Sequence, residues 1–157
     1  TKYYYNDFTD INPTADQLDI FVKKIMDVLN YEYNIVITTG SKKLDLLKEY
    51  TKEFDIINKN KLQKKVNQNK IIFISNSTFN DLETIIKNSS FLICCEGGVS
   101  HVSHNMNIKT IAFFEKNRLQ HTHFWTSHMN NLTLFERKGM NKIINDNNFF
   151  TIISNKI

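Results

Sequence analysis

Glu96, Gly97, Gly98, Val99 and His101 have the types and spacing to hold an anion. An apolar run, residues 91–95, stops at an acid. Two of the chain's four glycines follow, and then a segment able to be helical. A strand that turns tightly into a helix leaves the first N–H groups of that helix without intrahelical partners, and the helix dipole adds partial positive charge. Such a turn suits a phosphate or diphosphate. Gly97 and Gly98 allow positive φ and close approach of a ligand to the backbone. The same two residues also read as a tight turn with no ligand. Glu96 could accept hydrogen bonds from sugar or ribose hydroxyls, or could end the strand in solvent. His101 could donate one hydrogen bond to a phosphate, or pack as an ordinary helix histidine. His104, three residues on, reads as structural.

The elements around this turn alternate between helix and strand. Leu18, Phe21, Val22, Ile25, Met26 and Leu29 recur at helical spacing after Pro13, giving one apolar face. Residues 33–39 read as a strand ending at Gly40. Ser41 can cap the next helix, along which Leu44, Leu47, Tyr50, Thr51 and Phe54 are spaced. Residues 58–70 are rich in Lys and Asn and read as a loop or a frayed helix end. Strands are expected at 71–74, 91–95 and 109–114, with a further one at 132–135. Helices are expected from Thr78 and from Gly98. The tail from Asn141 is open between helix and strand. The apolar runs are continuous, which points to a parallel sheet with helices on both faces. Ligands of such sheets lie at the carboxyl ends of the strands. These ends carry residues 38–41, then 75–78 with Ser75 and Asn76, then Glu96–Gly98, then residues 115–117, expected on one rim. Lys42 or Lys43 could neutralise a diphosphate, and Ser75, Asn76 and Ser77 could line a base. Solvated lysines and an ordinary capped turn account for them equally.

With 157 residues, one α/β domain with a sizeable core is expected. Hydrophobic residues make up 41% and charged residues 23%, the balance of a globular chain. No apolar run is long enough to span a membrane, and the first residues carry no signal-peptide pattern. There is no initial Met, which suits a fragment. The net charge of +4 comes mostly from Lys, with Arg only at 118 and 137. A base-reading nucleic-acid binder would carry more Arg on a basic stripe. Lys59, Lys61, Lys64, Lys65 and Lys70 cluster, and read first as a solvated face. Cys94 and Cys95 are strand neighbours that point to opposite faces, poorly placed to bond each other. A reducing compartment is the simplest expectation. His121, His123 and His128 near Trp125 raise the question of a metal. No Cys or acid of suitable spacing stands nearby, so the segment reads as an aromatic loop over the rim.

From Asp81 to Phe114 the chain resembles the carboxyl-terminal domain of glycosyltransferase family nine, the lipopolysaccharide heptosyltransferase group with the GT-B fold. Members carry an acid, Ser or Thr, Gly, two residues and His, then a helix and a strand ending in an aromatic and Gly. Here these positions are Glu96, Gly97, Gly98 and His101, followed by residues 107–114. Glu96 stands for the usual Asp, Gly97 for Ser or Thr, and Glu115 for the later Gly. The resemblance implies a Rossmann-like α/β half of a GT-B enzyme, with residues 1–157 as a single donor-nucleotide-binding domain. It implies inverting transfer from a nucleotide-diphosphate sugar to lipopolysaccharide or another surface glycan. The catalytic base would come from a separate amino-terminal domain, so no catalytic residue is expected in this chain. No metal or cofactor is implied, and the nucleotide sugar is a co-substrate. The location implied is cytoplasmic, peripheral at the inner membrane of a bacterium. Two other readings are a non-catalytic nucleotide-binding module and a sugar-nucleotide hydrolase or epimerase using Glu96 with His101.

Overall fold

The structure is a computed structural model that describes residues 13–40 and 45–156. In chain order the elements are α1 (Ala15–Val28), β1 (Ile35–Thr38), α2 (Asp45–Tyr50), β2 (Asp55–Asn58), β3 (Lys61–Val66) and β4 (Asn69–Ile74). They continue with α3 (Phe79–Lys87), β5 (Phe91–Cys95), α4 (Gly98–Asn105), β6 (Lys109–Phe114), a 3-10 turn (Lys116–Arg118) and α5 (Leu119–Thr126). The last are β7 (Leu132–Glu136), α6 (Met140–Ile144) and α7 (Asn147–Lys156). The described residues form two compact units, one from 13–40, 45–78 and 139–155, the other from 79–138. The architecture is α/β and compatible with a Rossmann-like fold, with a parallel three-stranded sheet and its helices in one unit and a mixed sheet in the other.

The first unit is built on a four-stranded mixed sheet of order β1-β4-β3-β2. β1 runs parallel to β4, with Ile35 opposite Ile71 and Ile37 opposite Phe73. α1 begins at Thr14, whose hydroxyl accepts from the Gln17 N–H while Gln17 Oε1 accepts from the Thr14 N–H, satisfying two donors at the helix start. Its apolar face buries Val22 and Met26 against Tyr50, Phe54, Ile71 and Phe73. Phe21, on the same helix, stacks on Phe149 of α7 at 5.7 Å between ring centroids. The ambiguous tail is therefore helical, with Phe149 and Ile153 buried one turn apart.

Residues 58–70, expected as a loop or frayed helix end, instead build most of an antiparallel meander. β2 pairs with β3, and β3 with β4. Strand alternation accounts for it. Leu62 and Val66 of β3 pack against the core cluster, while Lys61, Gln63 and Lys65 take the opposite face. The reversal between β3 and β4 uses Asn67 at φ 55°. Left-handed conformations also occur at Asn30, Tyr31, Asn76 and Asn107, so asparagine takes four turn positions that often fall to glycine.

The second unit is a three-stranded parallel sheet of order β5-β6-β7. Ile111 and Ala112 of its central strand are completely buried. α4 packs on β5 and β6 and against α3. The segment expected as an aromatic loop is largely α5, since Leu119–Thr126 is helical. Thr122 and Thr126, one turn apart, give it a buried face, and Phe124 and Trp125 lie outside.

One group in the first core is out of balance. The Tyr50 hydroxyl is buried and has no hydrogen-bond partner among the described residues. Burial, with Asp19 adding to it, raises its pKa, so it stays neutral. An unpaired buried hydroxyl costs stability. The variant Tyr50→Phe is expected to be at least as stable as the parent, by up to about 1 kcal/mol, in urea unfolding. A loss of stability would mean that the hydroxyl is satisfied.

Candidate functional site

Glu96, Gly97, Gly98, Val99 and His101 come together where β5 runs into α4. The Glu96 N–H donates to the Phe113 carbonyl at 2.9 Å, which carries the sheet ladder one residue past the strand. At Gly97 the backbone then takes φ 143° and ψ −161°, a region essentially reserved for glycine. Gly98 begins the helix, and the N–H groups of Gly98 and Val99 lie in the first turn, where a helix offers no acceptors of its own.

Ser100 holds this turn shut. Its hydroxyl donates to the Gly97 carbonyl at 2.7 Å and lies 3.3 Å from the Gly97 N–H, for which it is the acceptor. The Ser100 N–H donates to the same carbonyl at 3.0 Å. Behind it runs a buried polar chain. The Ser103 hydroxyl donates to the Ser100 carbonyl, and the Thr110 hydroxyl donates to Ser103 Oγ, each at 2.8 Å. These bonds tie α4 to β6 with no polar group left over, which fixes the helix N-terminus relative to the sheet.

Glu96 is not a bare carboxylate. Its Oε2 accepts from the hydroxyl of buried Thr122 on α5 at 2.7 Å. That bond orients the side chain and leaves Oε1 for another donor. The His101 ring lies 6.2 Å from that of His128, which meets His104 edge-on at 5.2 Å. His104 Nδ1 is 2.8 Å from Asn131 Oδ1, and the Asn131 amide donates to the Ile108 carbonyl at 2.6 Å. His104 is thus a packing residue, as expected from the sequence. His121 accepts from Trp125 Nε1 at 3.0 Å along α5. The His-x-His pair therefore lies on a helix and not on a strand. Among the described residues no three His, Cys, Asp or Glu side chains gather as a metal would require.

Ser75 and Asn76 lie at the carboxyl end of β4, in the first unit. The Ser75 N–H donates to the Asn60 carbonyl at 2.8 Å, and Asn76 takes φ 56°. Both are accounted for as parts of a turn, and their side chains carry no further signature of a base site. Ser41 and Lys42 lie outside the described residues. Ser100 and Thr122 are the two residues that sequence reasoning missed. The Ser three positions after Gly97 was a local signal for the first, whereas nothing local points from Glu96 to a threonine 26 residues later.

The two glycines differ in what they do. A methyl group added at Gly97 or Gly98 would meet no atom within 4 Å, but only Gly97 sits at a positive φ. Gly97→Ala is expected to destabilise the fold by about 1–3 kcal/mol in urea unfolding, and Gly98→Ala to leave its stability unchanged or slightly raised. Equal effects would contradict this division.

Cys94, on β5 just before the turn, is chemically quiet. Burial, helped by the adjacent Cys95, pushes its thiol up to about 12. At pH 8 the thiolate population falls on the order of a thousandfold below that of an unburied thiol. A Cys95→Ser variant is expected to resist iodoacetamide when native and to react at once when unfolded. Because the folded thiol titrates higher than the unfolded one, its contribution to stability is intact below pH 9 and is lost as pH rises towards 12.

Comparison with protein-family models, curated proteins and solved structures finds no match for this chain.

Proposed function

We propose that the β5–α4 turn binds the diphosphate of a nucleotide sugar, and that the chain is the donor-binding part of an inverting glycosyltransferase acting on lipopolysaccharide or a related surface glycan. The observation that carries the reading is Gly98. It starts α4 at an ordinary helical conformation with open space around its missing side chain. The fold does not require glycine there, and alanine would serve a helix better. A ligand backed directly onto the peptide does require it. The donors would be the Gly98 and Val99 N–H groups, with His101 one turn in. Charge grows on the leaving diphosphate during glycosyl transfer, and fixed N–H dipoles would stabilise it. Glu96, oriented by Thr122, would accept from a sugar or ribose hydroxyl. The family resemblance of residues 81–114 supplies the choice of a sugar nucleotide and of an acceptor-side base outside this chain. The membrane-peripheral cytoplasmic location belongs to the same proposal.

A second reading, a nucleotide-binding module without chemistry of its own, has one observation in its favour. Glu96 is engaged by Thr122, and the His101 ring faces His128, so the acid and the imidazole needed for hydrolysis are each turned to another partner. Both readings share the phosphate cradle. Titration calorimetry with ADP, GDP and UDP sugars tests it. The parent chain is expected to bind one of them, and Gly98→Val to weaken that binding at least about tenfold, or about 1.4 kcal/mol, with its melting curve unchanged. Unaltered affinity in the variant, or no binding by the parent chain, would overturn the cradle. Release of free sugar from the donor by this chain alone would instead favour a hydrolase.

A further inference from the structure

We propose that Arg118 makes the β5–α4 site read two phosphates: Glu115 holds it in the free protein, and it moves to the second phosphate of a bound nucleoside diphosphate. The inference rests on the phosphate cradle at Gly98. That cradle supplies hydrogen-bond donors but no formal charge, and Glu96 beside it adds a negative one. A diphosphate there needs a cation close by. Arg118 and Arg137 are the only arginines of a chain that otherwise uses lysine. Both reach Glu115 Oε2, Arg118 through Nε at 3.2 Å and Arg137 through Nη2 at 3.9 Å.

The fold brings Arg118 to the cradle. Cys95 of β5 is in register with Phe113 of β6, so the two strands end on one rim, about 4.8 Å apart. α5 runs alongside α4. Thr122, near its start, donates to Glu96 at 2.7 Å, and the ring of His128, just past its end, lies against His101 and His104. Arg118 directly precedes α5, one turn ahead of Thr122. Residues four apart on a helix are neighbours, about 5–6 Å between Cβ atoms, a gap that an arginine side chain spans. The two arginines differ in freedom, since the side chain of Arg118 is 51% exposed and that of Arg137 is 5%. An exposed ion pair contributes little to stability, whereas a guanidinium on phosphate makes paired, charge-assisted hydrogen bonds. When Arg118 leaves, buried Arg137 still faces Glu115, so the carboxylate keeps a cation.

Calorimetric titration with ADP, GDP and UDP, each beside its monophosphate, tests the proposal. The parent chain is expected to bind one diphosphate at least about tenfold more tightly than the matching monophosphate. Arg118→Gln should lower that ratio about tenfold and change the monophosphate affinity less than about twofold. Arg118→Lys, which keeps the charge and loses the fork, should restore part of the ratio. Gly98→Val should instead weaken both nucleotides together. Melting curves show that each variant is folded. An unchanged ratio in folded Arg118→Gln, or an equal loss for both nucleotides in it, would overturn the role of Arg118 and leave the cradle standing. So would a parent chain that binds both nucleotides alike. No binding of any of these nucleotides by the parent chain would overturn the cradle itself.

Discussion

Between Cys95 and Gly98 the chain must leave a parallel strand and enter a helix within two residues, and the backbone geometry this demands at Gly97 strains any residue that carries a side chain. Much of the second unit follows from that turn. The Glu96 N–H still belongs to the sheet through Phe113, so the reversal cannot begin earlier. Ser100 folds back on Gly97 and so closes the turn from the helix side. The helix axis is then held by the Ser100–Ser103–Thr110 chain, and the acid before the turn by Thr122. Backbone N–H groups that stay in place without a ligand need little reorganisation when one arrives.

How much of this could be read from the residues depends on how locally each element is determined. α1 and the strands around 71–74, 91–95, 109–114 and 132–135 declared themselves, because each follows a continuous apolar run or a regular stripe. The β2–β3 hairpin did not. Only Leu62 and Val66 of β3 reach the core, and lysine and glutamine between them mask a period of two. α5 was hidden for a related reason. Its buried face is made of Thr122 and Thr126, residues that carry no hydrophobic signal, while its aromatic residues face outwards. The glycine pair was legible as a turn, and its two roles were not. Separating the strained glycine from the unstrained one needs the backbone angles.

The polar chain behind α4 also bears on how the second unit keeps its shape. Thr110 and Ser103 are buried hydroxyls, and the Asn131 amide, which also contacts His104, closes the loop before β7 onto Ile108. Satisfied networks of this kind favour one arrangement over its near neighbours, because a shifted register would strand several buried donors together. A parallel sheet of only three strands, with little area to bury, gains definition from such directional bonds that apolar packing alone does not supply.

Asparagine at the left-handed turns has a consequence that lies outside the native structure. A glycine at positions 67, 76 and 107 would reach the same angles without steric cost, yet it would leave the denatured chain freer to wander. An asparagine there narrows that ensemble, so less disorder has to be given up on folding. With only four glycines in 157 residues, the denatured chain has few freely turning points to lose on folding, an effect that no inventory of native contacts would reveal.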